Sequence, residues 1–413
     1  MKATTTKNNR GRSLAKSLIN FLRPKRTPLA WLNLTHDRKK FVTSLGGVAF
    51  AVLLMFVFTG FMNALYDSQI QLLGKLNGEV IMVNRLKNNM FVPRSFARRR
   101  LFQARSFEGV ADAYPFYISE ANWKNPETKK SFLVRAIAFN PSDPVLNIPE
   151  VSAYFSELQL PNAALIDSRA RAEIGPTEAG ITSELADRTI NIVGTFELGT
   201  DFASGNGNLL MSDVNFLRYF ASRGPEDDNR SFATADIGIL KLEPNVNPEK
   251  VVAALQAALP EDVLILPKDG PNGFVNRERK YWQDNTSIGF VFTLLTTMSF
   301  LVGIILVYQI LYTDVADHWA EYATLKAMGY SNAYLLGVVL QESVFLSVLG
   351  FLPGFLISYL LYNGAANVTG LFFQMTGQRV TNLFIATFVM CLVSGAIAVR
   401  KVQATDPAEV FGG

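Results

Sequence analysis

Four long apolar runs constrain this chain more than any other feature, because a stretch of about 17 or more apolar residues is long enough to cross a bilayer as a helix. They are residues 41–63, 288–312, 333–363 and 383–399. The third is long enough to be tilted in a membrane, or broken near Pro353 and Gly354. The spacing of the runs leaves one large interval, 64–287, between the first span and the last three. The predicted fold class is therefore a membrane α-helical protein of four transmembrane helices in a one-plus-three layout. An α+β extracytoplasmic domain of two lobes is inserted between the first and second.

Charge gives the expected orientation. The leader, residues 1–40, carries Lys2, Lys7, Arg10, Arg12, Lys16, Arg23, Lys25, Arg26, Arg38, Lys39 and Lys40 against Asp37 alone. The positive-inside rule keeps such a segment in the cytoplasm. Alternation then puts 64–287 outside, 313–332 inside, 364–382 outside and the tail 400–413 inside, with Arg400 and Lys401 supporting the last step. Both termini are thus expected in the cytoplasm. The leader is too long for a signal peptide, and no small-residue cleavage site follows Gly60, so the first run reads as a permanent helix. The formal net charge of +4 is small, and its densest basic stretch adjoins a span, so nucleic acid is not an expected partner.

The interval 64–287 reads as stalk, strands and helix. Leu65, Leu72 and Leu76 carry the helical period of the first span onward. Strands are predicted over Glu79–Val83, Ala113–Ile118, Phe132–Phe139, Ile190–Phe196, Ala233–Leu242 and Val263–Leu266. A helix is predicted over Asn247–Leu259, with Asn247 as cap, Pro248 in the first turn and Pro260 as the stop. The charged segment Asn276–Gln283 leads to the second span. Residues 148–232, richer in Gly, Asp, Asn and Ser, read as an inserted lobe. Arg98, Arg99, Arg100 and Arg105 read as a solvated basic face rather than an anion grip.

Catalytic signatures are missing. There is no phosphate-binding G-x-x-x-x-G-K-[ST] loop, no G-x-S-x-G elbow and no H-E-x-x-H pair. The single cysteine, Cys391, excludes a disulfide framework and a Cys/His zinc site. His36 and His318 are far apart and suit surface or interface roles. Asp227 and Asp228 fall in a loop-forming stretch where solvated acids are ordinary. No cofactor or metal is expected in this chain. Glu342 is the clearest ionisable residue inside a span; it falls within about three helical turns of the span's cytoplasmic end, where interfacial or packing roles outweigh a proton relay.

Two patterns point to mechanics. The inner segment 313–330 is helical by pattern and ends at Gly329. Ala316, Ala320, Ala323 and Ala327 form one small face, Val315, Trp319 and Tyr322 an aromatic-aliphatic face, and Asp314, Asp317 and Glu321 an acidic ridge. A short helix with three such faces fits either docking of a partner or simple lodging at the interface. In the third span Ser343, Ser347, Gly350 and Gly354 share one face, as do Thr387, Cys391, Ser394 and Ala398 in the fourth. Small residues allow close helix approach where lipid provides no hydrophobic drive, so these stripes pack within the bundle or across a dimer.

The run EYATLKAMG from Glu321 to Gly329, followed by Gln341-Glu342-Ser343, resembles the E-x-x-x-L-(R/K)-A-(L/M)-G … E signature of MacB/FtsX-type ABC transporter permeases. The entry PLAWLNLTHDRKKFVTSLGGVAFAV is similar to their first-helix pattern, and the ending ATDPAEVF to their DP-containing tail. Within the family the resemblance is greatest to the DevC branch, cyanobacterial permeases associated with heterocyst glycolipid export. His318, Trp319 and Ala320 depart from the pattern, which has a basic residue just before the Glu.

The resemblance implies a homodimeric subunit of the bacterial inner membrane that binds no nucleotide itself. A separate ABC ATPase, holding ATP and Mg, would dock on Asp317, Trp319, Glu321, Tyr322, Ala323, Leu325, Lys326, Met328 and Gly329. Its motion would be passed to a periplasmic membrane-fusion adaptor and an outer-membrane channel of the TolC kind, exporting a membrane lipid or other amphiphile. The rival within the family is a transmitter that activates a cell-wall hydrolase. Lipoprotein release and a stand-alone receptor fit less well.

Overall fold

The computed structural model describes residues 29–201, 204–221, 231–369 and 371–403. Positions 1–28 of the basic leader, Asp227 and Asp228, and the tail from Ala404 with its Asp406-Pro407 pair lie outside the described residues. In chain order the helices of seven residues or more are α1 (Leu29–His36), α2 (Arg38–Lys75), α3 (Arg99–Arg105), α4 (Asp213–Phe220), α5 (Pro248–Ala258), α6 (Phe274–Asp284), α7 (Ser287–Asp317), α8 (Trp319–Ala327), α9 (Asn332–Thr369) and α10 (Gly377–Gln403). The strands are β1 (Val80–Asn84), β2 (Phe96–Ala97), β3 (Val110–Lys124), β4 (Ser131–Phe139), β5 (Ala163–Asp167), β6 (Thr182–Leu185), β7 (Arg188–Phe196), β8 (Asn208–Ser212), β9 (Thr234–Ala235), β10 (Ile237–Leu242) and β11 (Val263–Pro267).

Two compact units emerge. One comprises Met1–Phe58, Leu295–Leu360 and Met375–Gly413; the other comprises Thr59–Leu294 and Leu361–Gln374. Among the described residues four helices are long and apolar enough to cross a membrane: Arg38–Lys75, Ser287–Asp317, Asn332–Ala366 and Gly377–Arg400.

In the first unit the small-residue stripes settle the packing. Ser343, Ser347 and Gly350 are buried, and Ser343 and Ser347 return their hydroxyls to the carbonyls of Val339 and Val344. At Gly350 an added Cβ would stand 2.6 Å from Val48 Cγ1, and at Gly354 2.8 Å from both Val52 Cβ and the Ala49 carbonyl. The α9 stripe therefore seats α2 in the same chain. On α10, Thr387, Cys391, Ser394 and Ala398 are all buried, and Ser394 donates to the Ile304 carbonyl of α7 at 2.9 Å. Gly395 meets the Ser343 hydroxyl. Both stripes serve intrachain packing. Helix α9 also passes through Pro353 without a break, so of the two alternatives read from its length, a tilt or a break, the break does not occur. It runs on to Thr369, so the connection to α10 is shorter than the predicted loop 364–382.

The second unit is built on a nine-stranded sheet of order β11-β1-β10-β3-β4-β8-β5-β7-β6. The fifteen-residue β3 holds it together. Its first half pairs with β10 and its second half with β4, both antiparallel. The pairs β4–β8 and β5–β7 are parallel. The stretch 148–232, expected as an inserted lobe, places β5 to β8 in this same sheet, because β8 lies beside β4 rather than in a sheet of its own. Leu72, Leu73 and Leu76 are buried in the cluster that includes Phe116, Ile137 and Phe139. The end of α2, expected as a stalk, is anchored in a core, each leucine contributing about 1.5–3 kcal/mol of burial.

Local chemistry explains the elements that sequence located well. Asn247 accepts from the Glu249 N–H at 2.8 Å, and Pro248 needs no partner in the first turn of α5. The arginine cluster is only partly a solvated face. Arg100 is buried and grips Asp262 through Nε and NH2 at 2.9–3.1 Å, and Arg105 pairs with Asp112 at 2.9 Å. Deeper in the sheet Arg135 pairs with Asp201 at 2.6 Å, and both are about 99% buried.

Candidate functional site

The segment between the second and third spans divides where sequence predicted one helix. Helix α7 carries Asp314 and Asp317, the chain turns at His318 (φ −95°, ψ 15°), and α8 begins at Trp319. His318 fixes the corner by placing Nδ1 2.9 Å from the Asp314 carbonyl. The alanine face is not uniform: Ala316, Ala320 and Ala327 are exposed while Ala323 is buried.

The far end of α8 is closed by Gly329, whose φ of +92° is a left-handed conformation that favours glycine. The Gly329 N–H bonds the Lys326 carbonyl at 3.0 Å and the Tyr330 N–H bonds the Leu325 carbonyl at 3.1 Å. This pair is a Schellman stop, which satisfies two carbonyls that the last helical turn would leave open. Gly329, expected among the docking residues, has this structural task.

One side of α8 is sunk into an apolar cluster. Tyr322 and Ala323 are 3% and 5% exposed and pack with Ala30 of α1, Val315 of α7, Leu335, Val338 and Val339 of α9 and Val399 of α10. Trp319 and Leu325 are half-buried at its edge. The expectation that Tyr322 and Ala323 offer a docking surface is therefore corrected: their helical phase turns them inward.

A polar bolt runs through this cluster. Asn33 Nδ2 lies 3.3 Å from Tyr322 Oη and 3.3 Å from Glu342 Oε1, and Tyr322 Oη is 3.5 Å from the same carboxyl oxygen. Glu342 is fully buried and Asn33 nearly so. Burial, then the negative charge of Glu342 and Asp314, drives the Tyr322 phenol well above its ordinary pKa, so it remains a neutral donor. Helices α1, α8 and α9 are thereby fastened to one another. A buried carboxyl is costly unless it is bonded, so this placement fits the packing role read for Glu342. Trp31 holds α1 from another side, its ring 5.4 Å from Phe345 in an edge-on contact.

Asp37 sits between α1 and α2 and accepts from the N–H groups of Lys39 (2.9 Å) and Lys40 (3.2 Å), capping α2. The Lys40 N–H, followed by that of Lys39 and both lysine charges, holds the Asp37 carboxyl below the usual carboxylate range. Lys40 Nζ reaches Asp317 at 2.8 Å, so Asp317 is half-exposed and already answered. Such a solvent-screened pair contributes little to stability.

What remains open on α8 is Glu321, Lys326 at half exposure, and Met328 at 63%, continued by Tyr330. Among the described residues no ion pair or side-chain hydrogen bond engages Glu321 or Lys326. The arrangement has no nucleophile–base pair, and among the described residues no group of three or more His, Cys, Asp or Glu could hold a metal. The arrangement is a short helix bolted to α1 and α9 on one side and charged on the other. Asn33 was the one member sequence did not single out as a site residue; an asparagine in the middle of the apolar LAWLNL was the available signal.

The family model "FtsX-like permease C-terminal" matches residues 293–407, which include α8 and Glu342. No curated protein is similar enough in sequence to count as a match. Among solved structures, the periplasmic region of MacB from Actinobacillus actinomycetemcomitans is similar at 12% identity, covering 52% of this chain and 96% of that one, with a TM-score of 0.33. The extracellular domain of the noncanonic ABC-type transporter YknZ from Gram-positive bacteria shares 9% identity, covering 46% and 98%, with a TM-score of 0.30. A domain of a Porphyromonas gingivalis permease protein shares 16% identity, covering 52% and 94%, with a TM-score of 0.32.

Proposed function

We propose that this chain is the membrane subunit of an ABC-type permease of the MacB/FtsX kind, with α8 as the docking point of a separate ATPase. The observation that carries this reading is the position of α8. It lies within the segment that matches the FtsX-like permease model, and it keeps a charged face open while its other face is bolted to α1 and α9. ATP and Mg belong to the partner in this reading. Glu321, Lys326 and Met328 meet it, and Tyr322 with Glu342 passes its push to the spans.

The finer reading is an export pump. The basic leader and Lys40 favour a cytoplasmic N-terminus, and an even number of spans returns the C-terminus to that side. The sheet-bearing unit would then face the periplasm and engage a membrane-fusion adaptor leading to a TolC-like channel. The cargo is a lipid or amphiphile, glycolipid if the DevC-like resemblance extends to substrate. A homodimer is supported by α7, whose most apolar window is only 17% buried, against 33–39% in the other spans. Its exposed Leu294, Met298, Leu301 and Ile305 recur at helical spacing.

The test is affinity purification of the tagged chain from its native membrane in mild detergent. Recovery of an ABC ATPase with an adaptor supports the pump. An ATPase with a cell-wall hydrolase and no adaptor replaces the pump by a signal transmitter. Absence of any ATPase overturns the proposal.

A further inference from the structure

A cavity of about 840 Å³ lies in the sheet-bearing unit, within the size range of small-molecule sites. Its floor is apolar and comes from the ends of span helices: Leu65 of α2, Phe292 of α7, Val368 of α9, and Leu371 just beyond α9. Its rim is the loop after β5, which contributes Arg169 and Arg171. The apolar runs of the sequence stop at or begin near these same floor positions, so the cavity opens at the level where hydrocarbon gives way to headgroups.

Both parts are held in place. On the rim side, the Ser168 N–H bonds the Phe196 carbonyl at 2.9 Å and the Arg171 N–H bonds the Asn206 carbonyl at 2.8 Å. Buried Trp123 donates Nε1 to the Ile174 carbonyl at 2.9 Å, and Asn125 donates to the Glu173 carbonyl at 2.8 Å. On the floor side, the Phe372 N–H bonds Ser68 Oγ at 3.0 Å, and the Phe61 and Phe373 rings meet at 4.9 Å. The loop therefore does not need to order itself on binding, which lowers the cost of taking a ligand.

Charge selects the occupant. Arg169 is answered by Glu197 at 3.3 Å. Arg171 is exposed and has no ion-pair partner among the described residues. Glu173, also on the rim, is exposed and gives the headgroup side one negative charge against two positive. A soluble anion would leave Phe292, Leu371 and the largely exposed Val368 without use. A neutral lipid would leave Arg171 without use.

We propose that this cavity binds one anionic amphiphile taken from the adjoining leaflet, its chain on the Leu65–Phe292–Leu371 floor and its acidic headgroup at Arg171. This deepens the export reading and rests on it for the step that follows binding; binding itself does not depend on an ATPase.

The test uses the full chain in phosphatidylcholine nanodiscs doped with phosphatidylglycerol carrying a diazirine in its acyl chain, photolysed and mapped by peptide. Labelling of 365–371 and 288–294 should exceed that by a diazirine phosphatidylcholine about fivefold, the worth of roughly one headgroup–arginine contact. Arg171→Glu should abolish the preference, and Val368→Asp, an exposed position that cannot unfold the core, should lower labelling by both probes. Equal labelling by the two lipids, an unchanged preference in Arg171→Glu, or full suppression by inorganic phosphate would each overturn the proposal. Because no ATPase is present, failure here leaves the permease reading standing, and failure to recover an ATPase leaves lipid binding standing.

Discussion

Glu278 on α6 is 1% exposed. It accepts from the Met90 N–H at 2.9 Å and from Trp282 Nε1 at 3.0 Å. Burial nonetheless pushes its carboxyl up to about 7 from an ordinary 4.5, with those two donors and the charges of Lys87 and Arg277 only partly offsetting it. The folded chain then holds this proton through a window in which the unfolded chain has released it. Between pH 4.5 and 7 the folded state binds more protons, so stability contributed by Glu278 falls as pH rises and is fully lost above the folded value. At 1.36 kcal/mol per pH unit, the interval amounts to about 3 kcal/mol. Glu278→Gln is neutral throughout. It forfeits one acceptor position, because its amide NH2 only donates and can accept from neither Met90 nor Trp282, but that cost is the same at every pH. The difference in unfolding free energy, variant minus wild type, should rise by about 3 kcal/mol from pH 4.5 to pH 8. Native-state hydrogen exchange of β1 in the full chain, in nonionic detergent and corrected for intrinsic rates, reads the stability of this sheet. A difference that stays flat across the range would show that Glu278 is ionised in the folded state and that the reasoning from burial is wrong.

Four further outcomes are expected. Gly354→Leu puts a side chain where a Cβ alone stands 2.8 Å from Val52 and the Ala49 carbonyl, so α2 and α9 must separate; a loss of about 1–3 kcal/mol should show as a lowered melting temperature in detergent. Asp201→Ala strands the buried Arg135 charge and should cost about 3–5 kcal/mol in urea unfolding, and a loss under about 1 kcal/mol would mean the pair is not buried in solution. Glu321→Arg, at an exposed position, should leave the melting temperature unchanged while weakening ATPase recovery. Ala323→Trp, at a 5% exposed position, should lower the melting temperature; if it leaves the fold intact, the inward phase of α8 is wrong.

The spans, the capped helix α5 and strands such as β4 and β7 were legible because their signals are local. A long apolar run, an Asn-Pro start and a run of β-branched and aromatic residues each act over a few neighbouring positions. The E-x-x-x-L-K-A-M-G segment also marked α8 and its glycine stop. What tertiary structure decided was everything that depends on partners far along the chain. The parallel pairing of β4 with β8 joined the stretch 148–232 to the main sheet, and no local pattern carries that register. Three distinct faces could be read on the inner segment from sequence, but it took Ala30, Leu335, Val338, Val339 and Val399, all far along the chain, to turn Tyr322 and Ala323 inward. The stripe from Ser343 to Gly354 showed from sequence that something packs closely there. Only the facing helix, with Val48 and Val52 in contact range of its glycines, determined that the neighbour is α2 of the same chain. Close packing is a relation between two surfaces, and the sequence of one of them specifies its shape but not its partner.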